Sequence, residues 1–329
     1  MNVLSPTDVI QRMMRAALVA ADPAVIVRNY LQSNPIVEKQ VFVVAVGKAA
    51  VAMATASAEI LPTNTQGIII SKLAPDSDPV QALPKHFKHF QAGHPVPDRR
   101  SVAATQAVKQ LLSQTGEHDL VLCLISGGAS ALLTDPQISL AQWRELNQAL
   151  LRCGCSINAI NHVRQHLDAV KGGGLLSWAA PTQVKTLILS DVIGNNMSHI
   201  GSGPTVPTVK HVEKVWRIFE QFKVLGFVSA ETKQALTKHL AELTAENTKN
   251  TTVENTIVGD IEKSVRAAAQ VAEEMGFAVR VVWSTACPSA NRSASWNLFC
   301  VWGGNNGYVF RANRWCWRSQ SGACTCRSD

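Results

Sequence analysis

Residues 119–133 read Asp-Leu-Val-Leu-Cys-Leu-Ile-Ser-Gly-Gly-Ala-Ser-Ala-Leu-Leu. Leu120 to Ile125 are six apolar residues in a row, a run that suits a strand covered on both faces of a parallel sheet. Ser126-Gly127-Gly128 follows at once, and Ala129 to Leu133 reads as the start of a helix. A strand, a glycine turn and a helix N-terminus together make an anion site. The first helical N–H groups have no intrahelical partner, and the helix dipole favours negative charge there. Glycine also lets the backbone come close to a ligand. Many such turns only join elements, so this stretch decides the fold more firmly than the chemistry.

The same pattern recurs on both sides. Val41 to Val46 is a second apolar run, followed by Gly47-Lys48-Ala49-Ala50 and an Ala- and Met-rich helix to Leu61. A lysine at a helix N-terminus opposes the dipole unless an anion is near. Gly67 to Ser71 reads as a third strand. Phe90 to Asp98 reads as a Pro-rich loop with His94 and Asp98 as its polar groups, and a helix follows from Ser101 to Ser113. Another helix spans Leu140 to Arg152. Asn161, Arg164 and Asp168 then fall at i, i+3 and i+7, one face of a helix, with Lys171 extending the line into Gly172-Gly173-Gly174. Val184 to Leu189 is a strand that runs into Ser190-Asp191, and ligands of open α/β sheets sit at such carboxyl ends. Gly201 to Thr205 is a loop with free backbone N–H groups. Lys249 to Asn255 reads as a polar connector, Thr256 to Asp260 as a strand and turn, Lys263 to Met275 as a helix, and Ala278 to Trp283 as a further strand. Strands alternating with helices predict an α/β fold with a mostly parallel sheet.

Composition narrows the classes. The 329 residues are 46% hydrophobic with a net charge of +7. Residues 287–329 hold five Arg and one acid, so they supply +4 and leave +3 for the rest. No Lys/Arg stripe interleaved with aromatics precedes them, which argues against nucleic acid as a partner. No apolar run reaches the length of a membrane span. The first residues carry no basic segment followed by an apolar core and a cleavage site, so a cytoplasmic setting is expected. Five of the eight Cys fall in the last 43 residues, as Cys287, Cys300, Cys316, Cys324 and Cys326. Cys324-Thr-Cys326 lacks zinc-ligand spacing.

The stretches VGKAA, AGHPVPD, ISGGASALL, NHVRQHLDAVKGGGL, LILSDVIGNNMSHIGSGPTVPT and IVGD resemble the glycerate 2-kinase family, whose C-terminal part is called the MOFRL domain and which older labels call hydroxypyruvate reductases. The likeness runs from about Val9 to about Trp283. It implies ATP-dependent phosphorylation of D-glycerate at its 2-hydroxyl with Mg²⁺, and two α/β domains with a cleft between them. The expected fold is thus a Rossmann-like three-layer domain over 40–208, with 1–39 and 209–286 forming helices and the start of a second, incomplete α/β domain. The resemblance makes Lys48 a catalytic lysine that neutralises the transferring phosphate, with Arg164 and Lys171 beside it. Gly47, Ser126, Gly127, Gly128, Ser130, Asn161 and His94 would line the nucleotide and substrate site. Asp191 would bind metal or orient substrate. Partners are then ATP and D-glycerate, with a homodimer left open. The family has Lys where Gln165 stands, Ser where Asp168 stands, and Asp where Asn195 stands. An amide is a poor substitute for a carboxylate on Mg²⁺. A nicotinamide-dependent reductase is the competing enzyme, but no GxGxxG follows a strand. A non-catalytic relic of the kinase is the third reading.

The family's Gly-Gly-Glu-Thr-Thr-Val-Thr and Gly-Gly-Arg-Asn-Gln-Glu-Leu-Ala-Leu-Ala motifs are missing. Codons for Trp302 to Val309, read one nucleotide later, permit the first. The same shift over Trp315 to Arg327 permits the second, in order and in one frame. A frameshift between about Ala278 and Trp302 is therefore expected, leaving 287–329 as an aberrant, irregular tail.

Overall fold

The computed structural model describes residues 5–38, 40–72, 83–243, 251–284, 296–303, 306–311, 314–318 and 324–327, and from residue 282 on the backbone alone. The chain runs α1 (Pro6–Ala20), α2 (Pro23–Ser33), β1 (Val41–Val46), α3 (Ala50–Ala58), β2 (Gln66–Lys72), β3 (Phe87–Ala92), α4 (Arg99–Leu112), β4 (Leu120–Ile125) and α5 (Ala129–Leu132). It continues through α6 (Leu140–Arg152), α7 (Ile157–Leu167), α8 (Gly174–Ala179), β5 (Gln183–Leu189), α9 (Val212–Gln221), α10 (Ala230–Glu242), β6 (Val253–Gly259), α11 (Ile261–Glu274) and β7 (Ala278–Ser284). Two compact units result, one of residues 23–258 and one of residues 1–22 with 259–329.

In the larger unit the sheet order is β3-β2-β1-β4-β5-β6, and the pairings from β3 through to β5 are parallel. The sequence accounts for the two centre strands. Every residue of β1 and β4 is buried, and alternate side chains serve opposite faces. Phe42, Val44, Val46, Val121, Cys123 and Ile125 join one core with Val108 and Leu112 of α4 and Leu175 and Leu176 of α8. Val41, Val43, Ala45, Leu122 and Leu124 join the other with Val27 and Leu31 of α2 and Met53 of α3. Parallel strands covered by helices on both faces make the three-layer α/β fold the sequence predicts. A third cluster, helical throughout, packs Trp143 and Leu146 of α6 against Val163 of α7, Phe219 of α9 and Leu236 of α10. Among the described residues no helix is long and apolar enough to cross a membrane.

Four points differ from the sequence reading. Phe87–Ala92 is a strand, not part of the loop, and it stands at the sheet edge. Its residues Lys88, His89 and Gln91 alternate poorly because an edge strand leaves much of itself in water. The supposed helical line to Lys171 breaks at Asp168, which caps α7 in an extended conformation (φ −136°, ψ 122°). Its carboxylate accepts from the N–H groups of Asp135 and Val170, which pulls the chain off the helix. The division between units also falls elsewhere. Residues 209–258 belong with the sheet because α9 and α10 complete the third cluster and β6 pairs at the sheet edge. Finally, where the stretch 287–329 is described, its backbone runs in strands rather than irregularly. Four antiparallel strands, β8 (Trp296–Gly303), β9 (Asn306–Arg311), β10 (Arg314–Arg318) and β11 (Cys324–Arg327), follow β7 in the order β11-β10-β9-β8-β7. Trp, Phe, Val and Tyr in these segments favour a pleated backbone. The smaller unit also packs Val9 and Met13 of α1 against Ala268 and Ala272 of α11. The first residues of the Lys249–Asn255 connector, and the stretch 285–295, lie outside the described residues.

Two outcomes follow for stability. Leu124 is fully buried in β4, so Leu124→Ala is expected to cost about 2–5 kcal/mol in urea unfolding; a loss under about 1 kcal/mol would contradict the assigned core. His166 is 1% exposed, and burial pushes its pKa down to about 4. Its Nδ1 donates to His162 O at 2.7 Å, and its Nε2 accepts from His211 N–H at 2.7 Å, so a second proton would break the latter bond. The unfolded chain then binds more protons between pH 6.5 and 4, and stability falls as the pH is lowered through that window. The loss is on the order of 3 kcal/mol at about 1.4 kcal/mol per unit. Urea midpoints measured from pH 7 to 4.5 should show this slope, and His166→Gln should flatten it; an equal slope in both chains would remove His166 as its source.

Candidate active site

The order in which the chain lays down strands reverses between β1 and β4, and the turns after those two parallel strands meet. Val46 pairs with Ile125, so both strands end level. Lys48 N–H donates to Gly127 O at 2.9 Å, and Ser126 N–H donates to Val46 O at 2.9 Å. Ser126 Oγ accepts from Ala49 N–H at 3.1 Å. Two strand-to-helix turns are thereby stitched into one backbone surface. Gly47 sits at φ +129°, and a Cβ there would overlap Ser126. Only glycine allows this approach. Crevices outside the carboxyl ends of strands, at such a reversal, are where open α/β sheets take ligands.

Ser126 is brought to the site but spends its polar groups inside it: it is 2% exposed and its N–H is used. Its expected part as an anion donor is therefore structural instead. The N–H groups of Gly127 and Gly128 remain, with no protein acceptor among the described residues. The helix behind them, α5, has only four residues, so its dipole adds little. The donors are those of the turn itself.

Charged groups from three further strand ends face this surface. His94 follows β3; the position a Cβ on Gly128 would take lies 3.1 Å from His94 Nε2 and 3.5 Å from Lys48 Cγ. Burial holds the His94 pKa below its usual value, the cations Lys48 and Lys72 lower it further, and Asp191 opposes them. All four groups therefore share one field, and His94 stays neutral at neutral pH. Asp191, just beyond β5, stands over Gly127, where a Cβ would collide with its carboxylate. Lys48, Lys72 and Asp191 form no ion pair among the described residues. Lys72 was not singled out from the sequence; its place as the last residue of β2 was the available signal.

The remaining candidates lie elsewhere. Arg164 and Ser130 line an adjoining cavity of about 300 Å³ with His94, Gly128, Arg144 and Asn147. Asn161 is 3% exposed and accepts from Ser202 Oγ behind Ser130. Lys171 is set apart: it is 2% exposed, with Nζ 2.8 Å from Leu133 O and 3.1 Å from Asp168 Oδ2. Burial lowers its pKa while Asp168 raises it. A lysine so enclosed ties the chain after α7 to the end of α5 rather than facing the cradle. It borders a different cavity, of about 380 Å³, with His166, Gly172 to Gly174, Lys210 and His239. Cys123 is buried, and its thiol is pushed up to about 12, so it is inert.

Strand order defines a doubly wound α/β protein with the two stitched turns at its switch point. Residues 9–241 match the model of the family described as "Domain of unknown function (DUF4147)". The chain belongs to that family, the family of the glycerate 2-kinases. It is 35% identical over 246 residues to the D-glycerate 2-kinase of Thermotoga maritima, covering 74% of this chain and 56% of that one. It is 40% identical over 209 residues to an Agrobacterium vitis protein provisionally named hydroxypyruvate reductase, covering 62% and 46%. A crystal structure of glycerate kinase from Thermotoga maritima superposes with a TM-score of 0.71 at 33% identity, over 82% of this chain and 62% of that one. The chain thus spans less than two thirds of the length of these relatives.

Two glycine substitutions separate fold from site. Gly127→Ala is expected to displace Asp191, with little change in melting temperature. Gly47→Ala, strained at positive φ, is expected to cost more than about 1 kcal/mol of stability. An Asp191 carboxyl resonance left unmoved by Gly127→Ala, read by carbon NMR, would contradict the placement of Asp191 over the turn.

Proposed function

We propose that this chain is a glycerate 2-kinase, transferring the terminal phosphoryl group of ATP to the 2-hydroxyl of D-glycerate to give 2-phosphoglycerate and ADP in the cytoplasm. One observation carries the reading: Lys48 and Lys72, which form no ion pair among the described residues, share the field of His94 at the switch point with two glycine N–H groups that have no protein acceptor there. Phosphoryl transfer requires in-line positioning and charge neutralisation more than covalent help. The lysines would draw off charge from the terminal phosphate, and the Gly127 and Gly128 N–H groups would fix its oxygens. His94, kept neutral, has a lone pair for the hydroxyl proton as the new O–P bond forms.

Mg²⁺ fits this site through one ligand. Among the described residues no group of three His, Cys, Asp or Glu could hold a metal. Mg²⁺ commonly takes one or two carboxylates together with phosphates and waters, and Asp191 is the carboxylate at the cradle. Bound there, the ion would neutralise phosphate charge. Asn195 occupies the place of the family's second acid.

The hidden codons after Trp302 support a second part of the proposal, that a frameshift has replaced the family's last motifs and weakened the enzyme. Sequencing codons 278 to 329 decides this directly: a gene without those shifted codons removes it. A coupled assay with D-glycerate and Mg-ATP tests the activity, with NADH oxidation by hydroxypyruvate as the control for the reductase that one relative's name suggests. The frame-restored chain is expected to phosphorylate glycerate faster than the 329-residue chain. Lys48→Ala should reduce either activity by about 100-fold or more. Failure of the frame-restored chain to consume ATP with glycerate would sink the kinase reading.

A further inference from the structure

The segment that leaves β5 lies across the cradle as a strap. Near its start, the Asp191 carboxylate stands over Gly127. Near its end, Gly201 comes back against α5: a Cβ on it would lie 3.1 Å from Ala129 Cβ and 3.7 Å from Ile125 Cγ2. Ile200 beside it is buried in the same core as Ile125 and Ile188. The strap therefore meets the glycine turn at one end and the helix start at the other. Its backbone is not one that a free loop keeps. Gly194, Asn195, Gly201, Ser202 and Gly203 all have φ between +52° and +77°. Asn195 and Ser202 carry side chains, which disfavour that region. Such a conformation persists only where its surroundings fix it.

The fixing groups come from α7 and the glycines after it. Gly172 and Gly173 N–H donate to Ser202 O at 3.1 Å and Gly203 O at 2.8 Å, which holds the end of the strap. Gln165 of α7, 6% exposed, reaches further back. Its Nε2 donates to Ser198 O at 3.0 Å and to Ser202 O at 3.3 Å. Facing two carbonyls, the amide can present only its NH₂, and both protons are spent there. One side chain thus closes the strap's last turn from both sides of Ile200. Gly172 leaves room for it, since a Cβ there would press on Gln165 Cβ and Cγ at 3.2 and 3.3 Å. The strap's own bonds link this turn to its start. Asn195 N–H donates to Val192 O at 3.1 Å, His199 N–H to Asn196 O at 2.9 Å, and Ser198 N–H to Asn196 Oδ1 at 3.1 Å.

We propose that Gln165 is a positioning residue of the switch-point site: by holding Ser198 and Ser202 it keeps the strap across the Gly127–Gly128 turn and sets where the Asp191 carboxylate stands. It acts through the strap and touches no ligand itself. Successive bonded turns carry a displacement at Ser198 back to Asp191. The proposal rests on the kinase reading for what Asp191 serves, as the carboxylate for Mg²⁺, and not for how Asp191 is held.

Hydrogen exchange and carbon NMR on the ligand-free 329-residue chain test it. Gln165→Met keeps the length of the side chain and removes both donors. It should speed amide exchange within residues 191–203 by about tenfold, the worth of one good hydrogen bond. Exchange in β1 and β4 should stay as it was, because only the strap opens. The Asp191 carboxyl resonance should move, with little change in melting temperature. Gln165→Lys keeps a donor of similar reach and should bring both readouts most of the way back. Mn²⁺ binding with a non-hydrolysable ATP analogue, read by electron paramagnetic resonance, should weaken about tenfold in Gln165→Met and recover in Gln165→Lys. Strap exchange or an Asp191 resonance indifferent to Gln165→Met would overturn the positioning. So would faster exchange throughout the sheet, the mark of a residue that only supports the fold. An intact chain that binds no metal–nucleotide, while the ligand-free readouts respond as stated, would remove the kinase reading and leave the positioning standing. Mn²⁺ affinity unmoved by Gln165→Met would do the reverse.

Discussion

The stitching of the β1 turn to the β4 turn is the constraint on which the rest depends. Three hydrogen bonds, Lys48 N–H to Gly127 O, Ser126 N–H to Val46 O and Ala49 N–H to Ser126 Oγ, join the two strand ends. They use up the polar groups that would otherwise compete for a ligand. What is left over is the Gly127 and Gly128 N–H groups, which have no protein acceptor among the described residues. The level ends of β1 and β4 come from two apolar runs in register, so the core places the site. Removing apolar contacts below would move donors above.

Electrostatics around this surface are unbalanced by design of the fold rather than by any single pair. Lys48, Lys72, His94 and Asp191 come from the ends of four different strands. Burial, and after it the two lysines, push the neighbouring imidazole towards its neutral form. An arriving phosphate would meet cations that form no ion pair among the described residues. By contrast, Lys171 is satisfied by Leu133 O and Asp168 and has little to offer a ligand. Burial and partners, more than residue type, separate the lysines that can act from the one that braces the chain.

Much of this was legible in the sequence. Unbroken apolar runs at Val41–Val46 and Leu120–Ile125 announced buried parallel strands, and the glycines after them announced the turns. The acidic residue after β5 was visible for the same reason. Helical spacing misled at Asp168, because a carboxylate that bonds nearby N–H groups can end a helix as readily as decorate it. The edge strand β3 was hidden because exposure erases alternation. The residues that reach the switch point from other strand ends carried little local signal, Lys72 only its place at the end of β2. Their roles depend on which strand ends and helices meet, and that is settled by packing across long sequence separations. The backbone strands after Trp296 show that composition biased towards Trp, Val and Phe can adopt β structure whatever its origin in the gene.

The central claim is that the two stitched turns form the seat of a phosphate. Selective ¹⁵N-glycine labelling and amide spectra recorded during titration with a non-hydrolysable Mg-ATP analogue test it most directly. The Gly127 and Gly128 amides are expected to move most and to move together, with glycines remote from the switch point, such as Gly154 and Gly226, unchanged. A titration that shifts other glycines while Gly127 and Gly128 stay still would contradict it.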